Sequence, residues 1–171
     1  MYSVKIFNSI RDVPSEPWNA LVAGHSSTYS HEFWEVLEDS GLNDFRYNHA
    51  LIYDQNSVPV ALASFYTITT DIAIFSTGWL KKALNAIRSI FPGFLKFKMI
   101  ECGTPITMNK PIVVKAGCNE EEILAFLDTT LSDIAKKQRA FVVVIRDFEP
   151  RNAYLEPHIR NLNYHVVASL P

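Results

Sequence analysis

The sequence predicts an α+β fold, a mixed and mostly antiparallel sheet with helices on both faces. Three observations lead there. Strand-like and helix-like stretches alternate along the chain in the order β-α-α-β-β-α-β-α-β-α-β. Residues 46–53 and 58–69 form two β-rich stretches joined by a short polar turn, the pattern of an antiparallel hairpin. Residues 141–145 are continuously apolar and follow a long helical stretch, as in a parallel strand covered on both faces. With 48% hydrophobic and 20% charged residues the chain is too apolar to stay unfolded. Its 171 residues are read as one domain, 1–171.

Each element has a local reason. Ser3–Phe7 alternates polar and apolar side chains, as a half-buried strand does. Ser15 is placed as an N-cap before Glu16, Pro17 and Trp18, opening a helix that stops near Gly24. Ser30 caps a second helix, in which Phe33 and Leu37 share a face and Gly41 supplies the stop. The hairpin follows, turning at Asp54-Gln55-Asn56-Ser57, and its second strand reads as central. A brief extended piece is expected at 72–75. Leu80, Leu84, Ile87 and Phe91 then recur at helical spacing, predicting an inserted amphipathic helix over about 78–91 that Pro92-Gly93 ends.

Residues 97–102 read as a strand closed by Gly103-Thr104-Pro105, and Ile112–Val114 as a further short one. Asn119 caps a long helix with Ile123, Leu127, Leu131 and Ile134 on its buried face. Glu120, Glu121 and Glu122 lie at its positive end and Lys136, Lys137 and Arg139 at its negative end, as the helix dipole favours. The apolar run 141–145 is placed in mid-sheet. A last helix over about 152–162 ends at Asn163, and 164–169 returns as a strand.

Composition also excludes function classes. A net charge of −2 gives no overall electrostatic pull toward nucleic acid or an anionic membrane. Cys102 and Cys118 have no metal-ligand spacing, and the five histidines form no HxxxH or HExxH pattern, so no metal is expected. The first residues lack the apolar core of a signal peptide, and no apolar run reaches the roughly 20 residues of a membrane span. A cytoplasmic location is the expectation.

The order of elements resembles the GNAT acyltransferase superfamily over nearly the whole chain. Asn152-Ala153 and Arg160-Asn161-Leu162-Asn163-Tyr164 look like that family's last-helix signature, with Asn163-Tyr164 in place of a Gly-Phe pair. Trp18-Asn19-Ala20-Leu21, Ser30-His31-Glu32-Phe33-Trp34 and Leu37-Glu38-Asp39-Ser40-Gly41 resemble the opening of tandem bacterial acyltransferases of the FemX-like and BioF2-like kind. The resemblance implies an N-terminal half followed by a second GNAT-like domain. It also implies acetyl-CoA or another acyl-CoA as donor, and a small-molecule or peptidyl amine as acceptor.

By the same resemblance, Glu101 would act as general base, with Asp147 and Glu149 facing the same cleft from the next strand. Tyr154 would protonate the departing thiolate. Cys102, Gly103, Gly117 and Asn152 would border the cofactor, and Ser30, His31 and Trp34 would line an acceptor groove. Plainer roles stand beside these: strand-end surface charge for Glu101 and Asp147, packing for Tyr154 and Trp34, helix capping for Ser30, and a buried thiol for Cys102.

Residues 115–122 lack the glycine-rich loop with which such enzymes cradle a pyrophosphate, and they present three carboxylates instead. The alternative function is therefore a non-catalytic scaffold docking on a second, catalytic domain. Packing on the sheet or on that second domain is the expected role of the inserted helix. Its Lys81, Lys82 and Arg88 beside Trp79 also match the composition of an interfacial membrane helix.

Overall fold

A computed structural model describes residues 1–42, 44–71, 73, 76–148 and 150–167. Its spine is β3 (Pro59–Asp71), thirteen residues long and buried from Val60 to Thr67. On one side β3 pairs with β2 (Arg46–Tyr53), and β2 with β1 (Ser3–Phe7); on the other it pairs with β4 (Lys96–Cys102) and with the three-residue β5 (Ile112–Val114). These pairs are antiparallel. β6 (Val142–Ile145) lies parallel to β4 and completes the order β1-β2-β3-β4-β6. The β2–β3 turn forms because the Asp54 carboxylate accepts from the N–H groups of Asn56 and Val58 at 2.9 and 2.8 Å, while Ser57 adopts φ 60.

Alternation along β3 divides the interior in two. Ala61, Ala63 and Phe65 pack with Ile100, Ile112 and the stripe Ile123, Leu127 and Leu131 of α4 (Glu120–Gln138). Leu62 and Tyr66 face the other way, toward Trp18 of α1 (Ser15–Leu21) and Trp34 and Leu37 of α2 (His31–Asp39). Burying each such side chain contributes about 1.5–3 kcal/mol, so the two layers together anchor the sheet. α5 (Glu156–Asn161) packs on α4 through Leu124, Leu155 and Ile159.

A polar network crosses the α1–α2 layer. Glu38 accepts from the Ser9 hydroxyl at 2.6 Å, from the Ile10 N–H at 2.8 Å and from His49 Nε2 at 2.7 Å. The carboxylate can only accept, so Nε2 carries the proton and Nδ1 accepts from the Ser64 hydroxyl at 2.8 Å. Burial holds the His49 pKa below its usual value despite Glu38, so the imidazole is neutral. Burial opposes ionisation of Glu38, but the bonds from His49, Ser9 and Ile10 outweigh it and hold that carboxyl low. Trp18 and Trp34 wall the imidazole edge-on.

Several elements differ from the sequence reading. Ser15 is already helical and Pro14 holds the cap position without a side-chain bond, because Pro14 sets the entering backbone. The run at 141–145 is not in mid-sheet: β6 is last in the strand order, with Phe141 76% exposed and Val142 40% exposed. Residues 150–155 form a 3-10 turn before the six-residue α5, rather than one helix from 152. From Tyr164 to Val167 the backbone has no regular structure, so the expected last strand does not begin there; Ala168 and Ser169 lie outside the described residues. Tyr164 is instead drawn toward α4 by a 2.8 Å bond to Asp128. The extended piece at 72–75 also falls mostly outside them, as does Glu149.

The inserted helix exists as α3 (Gly78–Ile90), but its apolar stripe is not packed on the sheet, since Leu84 is its only buried residue. Among the described residues no helix is long and apolar enough to cross a membrane.

The His49 network sets a pH dependence. A depressed histidine pKa means the unfolded chain binds more protons, so stability is present above the unfolded value of about 6.5 and is lost as pH falls through the lower folded value. Glu38 adds loss of the same sign further into acid. Urea unfolding between pH 7 and pH 5 should therefore show falling stability, and His49→Gln should flatten that slope. An unchanged slope would place the titrating group elsewhere.

Candidate functional site

Strand register brings four side chains together at the carboxyl ends of β4 and β6. Tyr66 lies opposite Glu101 in the antiparallel β3–β4 pair, and Glu101 lies beside Val144 in the parallel β4–β6 pair. Two residues beyond Val144, Arg146 emerges on the same face and meets both. The Tyr66 hydroxyl donates to Glu101 Oε2 at 2.5 Å; Arg146 Nη1 lies 3.0 Å from the Tyr66 oxygen and 3.1 Å from Glu101 Oε2. Arg146 Nε faces Asp147 Oδ2 at 3.2 Å. One guanidinium is thus shared by two carboxylates, and the cluster carries net negative charge.

The backbone closes around this cluster. The Arg146 N–H donates to the Cys102 carbonyl at 3.1 Å, so β4 and β6 stay joined through the last residue of β4. Gly103 follows at φ 132, and a Cβ there would stand 3.1 Å from Arg146 Cγ. That backbone favours glycine, and a side chain there would also press on the Arg146 stem lying across it. Asp147 takes φ 64, which turns the chain sharply after β6.

Burial raises the Tyr66 pKa, and the bond to Glu101 raises it further against the opposing pull of Arg146, so the phenol stays protonated. Burial also lifts Asp147 above the usual carboxylate range, with Arg146 opposing. Partial burial disfavours the Arg146 cation, yet Tyr66, Asp147 and Glu101 outweigh it and raise its pKa. Such a site has carboxylate oxygens able to hold an ammonium, and Glu101 can accept a proton from it.

The amino end of α4 is occupied by the chain's own groups. The Asn119 side chain accepts from the N–H groups of Glu121 and Glu122 at 3.1 and 3.3 Å. Glu120 pairs with Lys110 and receives the Tyr154 hydroxyl at 2.5 Å, while Glu121 meets His158 at 2.7 Å. Donors that an anion would use at a helix start are capped internally, and acidic side chains surround them.

The sequence-predicted residues fall into separate places. Glu101 and Asp147 join the cluster. Tyr154 does not: it is 54% exposed beside Glu120, and that bond raises its pKa. Cys102 and Gly103 sit behind the cluster, with Cys102 fully buried and its thiol pushed up to about 12 by burial. Gly117 lies in an open turn at φ 86, and Asn152 is buried beside α5. Ser30 caps α2 by accepting from the Phe33 N–H at 3.2 Å. His31 Nε2 is 3.1 Å from the Val13 carbonyl, and Trp34 is a core residue.

Tyr66 and Arg146 escaped the sequence reading. Only strand register reveals Tyr66, whereas Arg146, a cation directly after an apolar strand, was a readable signal. A separate open depression of about 1580 Å3 lies toward the start of β4, lined by Asn8, Asn48, Thr67, Lys98 and Gln138 among others. Among the described residues no group of His, Cys, Asp and Glu is arranged to hold a metal.

No protein-family profile matches the sequence. A curated relative, "Putative 8-amino-7-oxononanoate synthase 2" of Mycobacterium tuberculosis, is 25% identical over 122 residues. That match takes in 71% of this chain but only 16% of the relative's length.

Solved structures align over essentially all of the chain. The ribosomal-protein-alanine N-acetyltransferase of Brucella melitensis has a TM-score of 0.60 at 11% identity, covering 100% of this chain and 97% of that one. The aminoglycoside 6'-N-acetyltransferase AAC(6')-Ih of Acinetobacter baumannii has 0.58 at 10%, covering 100% and 95%. AAC(6')-Iy, solved in complex with CoA, has 0.57 at 11%, covering 100% and 92%. The chain has the fold of the GNAT acetyltransferases.

The cluster's wiring is testable through the Tyr66 phenol. Glu101→Gln removes an anion and should lower the Tyr66 pKa; Arg146→Gln removes a cation and should raise it. Carbon NMR of ring-labelled tyrosine across alkaline pH reads both. Shifts of the same sign would contradict the geometry.

Proposed function

We propose that the chain is the acceptor-binding half of an amine N-acyltransferase, read as one domain over 1–171. A second GNAT-like domain of the same protein would hold the acyl-CoA. The observation that carries this division of labour is the amino end of α4, where Asn119 takes the N–H groups of Glu121 and Glu122 that a pyrophosphate would use, and the Glu120 and Glu121 carboxylates, paired with Lys110, Tyr154 and His158, stand around them.

The Glu101–Arg146–Asp147 cluster supplies the acceptor side. An incoming ammonium pairs with the carboxylates and loses a proton to Glu101. The amine nitrogen then bonds to the acyl carbon as the carbon–sulfur bond breaks, and the second proton of the nitrogen passes to the departing thiolate, which leaves as the thiol. Arg146 and Tyr66 fix the Glu101 carboxylate so that it need not reorganise during the step. Names among the fold neighbours, acting on aminoglycosides and on a ribosomal protein's alanine, support an amine as the acceptor class. The free thiols of Cys102 and Cys118 suit a cytoplasmic setting.

The second reading is a domain that binds acyl-CoA and completes the transfer alone. It draws on the alignment of the whole chain with a structure holding CoA, and on the uncrowded turn at Gly117.

Calorimetric titration with acetyl-CoA at millimolar concentration separates the two. The first reading expects no saturable heat; saturable binding would replace it with the second. On the acceptor side, NMR titration with a panel of primary amines should perturb the Glu101 cluster. Glu101→Gln should weaken the best of them about tenfold or more, the scale of a lost charge-assisted bond.

A further inference from the structure

We propose that α3 and the loop after it form a docking surface for an anionic lipid bilayer. The first observation is charge segregation. Residues 72–100 contain Lys81, Lys82, Arg88, Lys96 and Lys98 and no Asp or Glu. That segment carries +5, while the other 142 residues carry −7; Arg88 is paired with the flanking Asp71, which leaves Lys81, Lys82, Lys96 and Lys98 as its lysine charge.

The second observation is an uncovered apolar face. At 100° per residue Trp79, Leu80, Ala83, Ile87 and Ile90 share one arc of α3, and Phe91 and Phe94 extend it past the helix end. Trp79 is 79% exposed, Ile90 73% and Phe91 64%; Leu80, Ile87 and Phe94 are also exposed. These are the large side chains that a packed helix would hide.

The third observation is how the helix is held. Leu84 is buried, and Arg88 is clamped to Asp71 at 2.5 and 2.9 Å and to the Phe94 carbonyl at 3.0 Å. Those inward contacts fix the helix with its apolar arc outward and order the loop carrying Phe94. Lys82 remains exposed at one margin of the arc, long enough to reach headgroups while Trp79 and Ile90 enter the interface, and Lys81, on the side of Arg88, adds exposed positive charge without bordering the arc.

Charge selects the occupant. An anionic bilayer complements both parts of the surface at once, its phosphates facing the lysines and its acyl boundary the aromatic and aliphatic arc. A second copy docked two-fold on the same patch would bring Lys82 against its own equivalent. The surface is separate from the Glu101 cluster, and the inference does not rest on the acyltransferase reading.

Vesicle co-sedimentation tests it. The protein should pellet with phosphatidylcholine vesicles containing about one-third phosphatidylglycerol, should stay in solution with phosphatidylcholine alone, and should be released by high salt. Trp18 and Trp34 are buried, so a blue shift of emission on anionic vesicles reports Trp79. Trp79→Ser with Ile90→Ser should abolish pelleting, and Lys81→Gln with Lys82→Gln should weaken it at least tenfold, with circular dichroism unchanged in both because all four positions are exposed. Equal pelleting with neutral vesicles, no pelleting with anionic ones, or retained binding in the Trp79/Ile90 variant would overturn the proposal. So would a concentration-dependent dimer that the same variant dissolves.

Discussion

Everything in this molecule depends on β3 being continuously buried and paired on both edges. β2 lies along one edge, and β4 and β5 share the other. Its odd-numbered residues are small where α4 passes, at Ala61 and Ala63, while its even-numbered residues carry the polar functions of the opposite layer. Ser64 reaches His49 and Tyr66 reaches Glu101. A slip of one residue would exchange the two sets and put alanines where hydroxyls are needed.

Much of this was legible because the signals were local. The Asp54 turn, the Ser30 cap and the α4 stripe with its charged ends each rest on residues within a few positions of one another, and each appears where the sequence places it. The misreadings concern what covers a face. The run at 141–145 is apolar enough for mid-sheet yet ends the sheet, and the α3 stripe is regular enough for a core helix yet faces outward. Periodicity tells which side chains share a face, and only tertiary placement decides what lies against it.

The candidate site shows the same divide. Glu101 and Asp147 are expected together from the resemblance, as carboxylates at the ends of two strands, and the structure places them side by side. Their partnership through Arg146, and the role of Tyr66, required knowing that β4 and β6 are neighbours in register. Tyr154, expected near the same place, lies with Glu120 because the 3-10 turn at 150–155 points it toward α4 rather than along the sheet. Acidic groups thus gather at two places, the β4–β6 end, where Arg146 alone faces two carboxylates, and the start of α4, where Lys110 and His158 face Glu120 and Glu121.

The parallel β4–β6 pair has a consequence for the order in which the molecule assembles. The β2–β3 hairpin closes across a five-residue turn, 54–58, so its contacts are cheap in chain entropy and available early. β4 and β6 are separated by residues 103–141, including all of α4, and can meet only after that helix has found its place on the sheet. Glu101 and Arg146 therefore come together late in folding. A destabilised variant can keep its central strands while the Glu101–Arg146 cluster is already dispersed, so loss of the cluster would precede loss of the fold.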